Sequence, residues 1–239
     1  KDTHKEKNPR TALSYNNLAM LYVSIGDYEK AQPLLLKALA IYKEVVGGNR
    51  LDTARVYHNL GALCYSIGDY SNSEFFYQKT LAIKKEVLGK KHPSIATSYN
   101  NLGTLYTSIG DYAKAEPLLQ KALDINRESL GNKHPSTALS YNNLATLYVS
   151  IGDYGKSDPL YRKSLDVCRE VFGEKHPSTA LSYNNLAGFY ASIGDYAKSE
   201  PLYKNALVIF KELLGESHPS TFAIYAGLGF LCLQKGDIA

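Results

Sequence analysis

Four histidines, His92, His134, His176 and His218, recur at intervals of 42 residues, each followed by proline. Regular histidine is a metal-ligand signal, so it has to be weighed first. The second chemistry-bearing pattern is a pair of adjacent carboxamides, Asn16-Asn17, Asn100-Asn101, Asn142-Asn143 and Asn184-Asn185, with His58-Asn59 in the same frame. A carboxamide both gives and accepts hydrogen bonds, which suits it to the backbone of an extended peptide or to another amide. Serine, histidine and acid do not combine into a nucleophilic constellation, and no glycine-rich phosphate loop occurs. Carboxylates fall at repeated sites that read as helix caps (Asp27, Asp69, Asp111, Asp153, Asp195), not as pairs tuned against each other. The expectation is a chain without catalytic residues or cofactor.

The elements that must position these residues follow from the same period. Tyr15, Tyr57, Tyr99, Tyr141, Tyr183 and Tyr225 are copies of one position, and Ile-Gly-Asp-Tyr recurs ten residues after each of the first five. A fixed period of about 20–50 residues marks a solenoid, in which each unit buries its apolar face against its neighbours. The fold class expected is therefore an all-α solenoid of antiparallel helix hairpins. Five units run over 11–52, 53–94, 95–136, 137–178 and 179–220. Residues 1–10 read as the end of a preceding repeat or a linker, and 221–239 as the first helix of a sixth unit cut short, in an excerpt of a longer protein.

Within the fourth unit, Ala138, Tyr141, Leu144, Ala145, Leu147, Tyr148 and Ile151 form the stripe of an amphipathic first helix. Gly152 can adopt the left-handed conformation that ends it, and Asp153 caps the next. So short a connection folds the two helices back on each other. The second helix should turn Leu160, Tyr161, Leu165, Val167 and Val171 inward. Small residues (Ala31, Ser73, Ala115, Ser157, Ser199) mark the close approach, and Pro177 suits a first helical turn. Pro33, Pro117, Pro159 and Pro201 break the local rule, implying an irregular start or a bend in the second helix. Successive hairpins stack on the order of 10 Å apart, whereas zinc ligands lie about 2 Å from a shared centre. One histidine per unit cannot converge on an ion, and His-Pro reads as a turn opening the first helix. No metal is expected.

Tyr15-x-x-Leu18-Ala19-x-x-Tyr22, followed by Ala31 and Leu35, resembles the tetratricopeptide repeat. The longer period, Asn-Asn-Leu-Ala, Ala115-Glu116-Pro117-Leu118 and Leu130-Gly131-x-x-His134-Pro135 resemble the repeats of kinesin light chains and related arrays. The resemblance implies a right-handed superhelix that serves as a non-catalytic interaction scaffold, its first helices lining a concave groove for a peptide or protein partner. It also implies that the second Asn of each pair (Asn17, Asn59, Asn101, Asn143, Asn185) is the peptide contact. The first of each pair (Asn16, His58, Asn100, Asn142, Asn184) stands open between that role and holding the stack in register. Helical spacing adds wall positions: Met20, Ala62, Thr104, Thr146, Gly188 and Phe230 three residues on, and Leu13, Arg55, Thr97, Leu139, Leu181 and Ala223 four before. Arg55 is the one basic residue among them, so the wall looks neutral and polar, poorly matched to acidic peptides.

Lys and Arg number 27 against 23 Asp and Glu, a net charge of +4 scattered along the second helices. That is not the basic stripe of a nucleic-acid binder. No run reaches the 18 or so apolar residues of a membrane span. Cys64 and Cys232 share one repeat position four units apart and Cys168 lies on another helix, so all three read as reduced buried thiols in the cytoplasm. Fifteen of the 20 tyrosines fall at three repeated positions and are assigned to hairpin packing, with Tyr65 the exception. Phe222, Phe230, Leu231 and Leu233 should be incompletely covered, which makes self-association through the repeat ends the second reading.

Overall fold

The structure is a computed structural model that describes residues 8–45 and 50–236. Residues 1–7, most of the segment placed ahead of the first repeat, lie outside them. Among the described residues there are eleven helices and no strand: α1 Pro9–Ser24, α2 Tyr28–Glu44, α3 Arg50–Ser66, α4 Tyr70–Leu88, α5 Pro93–Ser108, α6 Tyr112–Leu130, α7 Pro135–Ile151, α8 Tyr154–Phe172, α9 Pro177–Ser192, α10 Tyr196–Leu214 and α11 Pro219–Lys235. They fall into two compact units, Lys1–Ile125 and Asn126–Ala239. In each, an odd-numbered helix packs on the even-numbered helix after it, which packs on the next odd-numbered one.

Repeated punctuation builds the hairpins. Gly152 ends α7 at φ 87°, ψ 8°, a conformation that costs glycine nothing, and the Asp153 N–H returns to the Tyr148 carbonyl at 2.8 Å. The Asp153 carboxylate then accepts the Lys156 N–H at 3.2 Å, supplying one of the partners that the first turn of α8 lacks. Lys156 also pairs with that carboxylate through its side chain, and this hydrogen bond is the main reason the Asp153 carboxyl lies below the usual range. At the other end of the repeat, His92, His134, His176 and His218 cap the odd-numbered helices. Each accepts, through Nδ1, the N–H of the serine two residues on at 3.1 Å, with proline in the first turn. Thr137, Thr179 and Thr221 close the same loop by donating to the carbonyls of Gly131, Gly173 and Gly215.

The small residues mark where the helices come closest. Ser157 is fully buried and donates to the Ala145 carbonyl at 3.0 Å; Ser164, seven residues on, donates to Ala138, seven residues back, at 2.9 Å. That opposed numbering is the signature of antiparallel helices. Ser73 to Gly61 and Ser199 to Ala187 repeat the first contact. Each buried hydroxyl thereby keeps a partner, a net gain of about 1 kcal/mol. The prolines neither delay nor divide their helices: α2, α6, α8 and α10 run through Pro33, Pro117, Pro159 and Pro201, all exposed, so the carbonyl each leaves unbonded faces water.

Several side chains read as core are not. Ile151 is exposed, as are Ile25, Ile67, Ile109 and Ile193: the residue before the glycine sits in the last turn, beyond the facing helix. Val171 is exposed near the end of α8 for the same reason, whereas Tyr161, Leu165 and Val167 are buried and Leu160 packs against that core. On α11, Phe222 (61% exposed), Phe230 and Leu233 are uncovered, but Leu231 is buried against α9 and α10. Cys64 and Cys168 are buried free thiols; Cys232 is free and exposed. No helix among the described residues is long and apolar enough to cross a membrane.

Candidate functional site

Among the described residues, the paired side chains of successive repeats are bonded to each other at three joints. Asn59 Nδ2 donates to Asn16 Oδ1 at 2.7 Å, and Asn185 Nδ2 donates to Asn142 Oδ1 at 2.8 Å. In the third repeat Asn101 Nδ2 meets His58 Nδ1 at 3.1 Å. Because the amide nitrogen can only donate, His58 must present a bare Nδ1 to it. The direction is constant, with the second residue of one repeat giving to the first residue of the repeat before. Asn16 and Asn184 also donate sideways to Asn17 and Asn185, at 3.4 and 3.5 Å. Asn16, His58 and Asn142, the first residues of their pairs, thus each accept a bond from the following repeat.

Exposure separates the candidates further. Asn16, Asn59 and Asn100 are buried; His58, Asn101, Asn142, Asn143, Asn184 and Asn185 are half-buried; Asn17 is exposed. Arg55 is exposed and paired with Asp52 at 2.7 Å, so its charge is already matched. Thr104 is half-buried, and Thr146 is exposed with its hydroxyl between the Asn142 carbonyl and the Tyr161 hydroxyl, 2.9 Å away. Tyr65, singled out as irregular, bonds to Ser108 at 2.7 Å and joins the second repeat to the third. Tyrosines serve the same end elsewhere: Tyr106 donates to Glu74 at 2.7 Å, and Tyr190 donates to Asp158. Burial first, then the neighbouring carboxylate, pushes the Tyr190 hydroxyl up to about 12.

In the second unit the odd-numbered helices leave an open valley. One part, about 240 Å³, lies between Leu139 of α7 and Leu181 of α9, with Cys168 and Phe172 of α8 as its floor and Asn142 and Asn185 at its rim. The other, about 360 Å³, lies beyond those same two asparagines and reaches Thr146, Gly188 and Tyr203. No charged side chain lines either part. Leu139 and Leu181 are 54% and 53% exposed, a large apolar area for a solvated helix face. Both were placed on the wall by spacing alone. The floor was not, because Cys168 and Phe172 stand on a second helix whose phase relative to the wall depends on the packing. Among the described residues no three His, Cys, Asp or Glu side chains gather where they could hold a metal ion.

Repeated hairpins, register amides and an open wall define a class of helical repeat protein. A family model described as tetratricopeptide repeat matches residues 10–86, 76–128, 94–166 and 178–239, and the chain belongs to that family. Among solved structures it is similar to BtubC (BKLC) from P. vanneervenii, at 25% identity and a TM-score of 0.72, covering 88% of this chain and 84% of that one. It is also similar to a putative kinesin light chain from Podosopora anserina with nearly identical TPR-like repeats, at 23% identity and a TM-score of 0.67, covering 87% and 98%. The apo form of RapI shares the fold at 16% identity and a TM-score of 0.69, covering 94% of this chain and 84% of that one. No curated protein matches the sequence significantly.

Proposed function

We propose that this chain is a non-catalytic interaction module that holds a peptide segment of a partner protein along its odd-numbered helices, each 42-residue unit from 11 to 220 contributing one helix to the wall. The observation that carries this reading is the uncharged valley of the second unit, where apolar side chains stand exposed beside half-buried amides. A surface of that kind buries apolar area on binding while the amides satisfy a peptide backbone. The buried thiols suit a reducing compartment, and Cys64 is pushed up to about 11 by burial and then by Asp69, which keeps it protonated. We place the protein in the cytoplasm on that ground.

Selection of random peptides against the whole chain tests the reading. A captured peptide should move the side-chain amide resonances of Asn142, Asn143, Asn184 and Asn185 and leave those of Asn132 and Asn205 in place. Shifts confined to the even-numbered helices would put the site elsewhere. The exposed Phe222, Phe230 and Leu233 favour a second reading, in which α11 packs on a further hairpin or a second copy as part of an assembly arm. Light scattering over a concentration series separates the two: constant mass for a peptide binder, rising mass for self-association.

A further inference from the structure

The two parts of the valley differ in what they ask of a ligand. Between Leu139 and Leu181 the surface is a socket with an apolar floor, suited to one aliphatic side chain. Beyond the asparagines it is a notch with an unmet polar group. In the fourth repeat Tyr161 shares its hydroxyl with Thr146. In the fifth, Tyr203 is the counterpart of Tyr161, but Gly188 stands where Thr146 would be. Tyr203 is 8% exposed, and its hydroxyl has no hydrogen-bond partner among the described residues. It lies 3.5 Å from where a Cβ of Gly188 would sit. The hydroxyl opens on the notch, where a ligand can supply the partner that Thr146 supplies to Tyr161. Burial also lifts the Tyr203 hydroxyl above its ordinary range, so it stays protonated and able to donate.

We infer that the valley between α7 and α9 reads a two-part address on a peptide in polyproline II form: an aliphatic side chain in the Leu139–Leu181 socket and, three residues away, an uncharged hydrogen-bonding side chain, Asn, Gln, Ser or Thr, at Tyr203. The spacing follows from the helices. Leu139 to Thr146 and Leu181 to Gly188 are each seven residues, about 10.5 Å of helix, and three residues of polyproline II chain, which bring the side chain back to the same face, span about 9 Å. The absence of charge follows from the lining: an ionised side chain would lose its water and meet no counter-charge there. This rests on the peptide-binding reading above and adds the sequence that is read.

The test compares peptide selection on the whole chain with selection on two variants. Gly188→Thr restores the arrangement of the fourth repeat and closes the notch. Its Cβ meets Tyr203 at ordinary contact distance, and threonine is a better helix former than glycine, so the variant keeps the fold. Leu181→Thr replaces an exposed side chain by the one that the third repeat carries as Thr97. The expected result is enrichment of peptides with an aliphatic residue followed or preceded at three residues by Asn, Gln, Ser or Thr. Their affinity should fall roughly three- to tenfold in Gly188→Thr and about tenfold in Leu181→Thr. Enrichment of acidic peptides, or affinities that neither variant changes, would overturn the two-part address and leave peptide binding standing. Recovery of no peptide by a chain with native helicity would overturn both.

Discussion

The joint between the second and third repeats and the joint between the fourth and fifth are built on the same positions with different chemistry. At the fourth–fifth joint the rung is Asn185 to Asn142, the side chain behind it is Cys168, and the outer positions are Leu139 and Leu181. At the second–third joint the rung is Asn101 to His58, the side chain behind it is Lys84, and the outer positions are Arg55 and Thr97. Lys84 reaches the Ser94 carbonyl at 3.2 Å from a half-buried site, and burial lowers its pKa. At the matching place in the second unit, Cys168 accepts from Ser182 at 3.2 Å. One joint has spent its polar groups on itself and is lined by cations. The other is neutral and open. The same repeat positions thus carry either a charged, internally bonded surface or a neutral, open one, decided by three or four side chains.

The contrast extends to the hairpins, and there the largest effect is expected. A Cβ on Gly61 would stand 2.6 Å from the Tyr77 ring, whereas the fourth repeat has Ala145 against Tyr161. Gly61→Ala should therefore cost about 1–2 kcal/mol, the overpacking penalty less the gain in helix propensity, and denaturant midpoints would measure it. An unchanged or raised midpoint would show that the two hairpins close to the same distance.

A smaller effect comes from giving the open joint the sealed joint's lysine. Cys168→Lys should lower stability by about 1 kcal/mol, since the Ser178 carbonyl can serve the ammonium as Ser94 serves Lys84. It should also abolish capture of peptides that use the Leu139–Leu181 socket. Retained capture would mean that the socket is not the anchor.

The smallest effect is a pH dependence confined to the first unit. Burial, and then the charge of Lys84, holds His58 below the ordinary histidine range, and its Nδ1 must stay bare to accept from Asn101. The ring also lies against Tyr77, with centroids 5.9 Å apart. A histidine harder to protonate folded than unfolded contributes stability that is full above the unfolded pKa and is lost as pH falls through that value and then the folded one. Between pH 7 and 5 the wild type should lose more stability than His58→Asn, which restores an amide rung. Parallel stability curves for the two proteins would remove His58 as the cause.

Much of this was legible in the residues alone. The Gly-Asp punctuation, the His-Pro opening and the small residues at the hairpin contact are local signals, since a cap or a close approach acts within a turn or two of its own sequence. The sequence left open whether the first asparagine of each pair bonds the next repeat, because a rung between residues 43 apart exists only if two repeats stack at hydrogen-bond distance. The exposed Ile151 and Val171 misled for a related reason. Periodicity reports which side of a helix is apolar, not where the facing helix stops. The valley floor stayed hidden because Cys168 and Phe172 enter it from a different helix, and Tyr203 drew no notice because its partnerless state depends on a glycine in another helix.

The amide rungs have one more consequence. Because the rungs Asn59 to Asn16, Asn101 to His58 and Asn185 to Asn142 all run from the later repeat to the earlier, inserting or deleting 42 residues at such a joint leaves a giver facing a taker. Losing or gaining a single residue inside an odd-numbered helix would turn its pair about 100° around the axis and strand both amides. Lineages of such a protein should lengthen and shorten in whole modules, as a staircase gains or loses steps, while its helices keep their lengths.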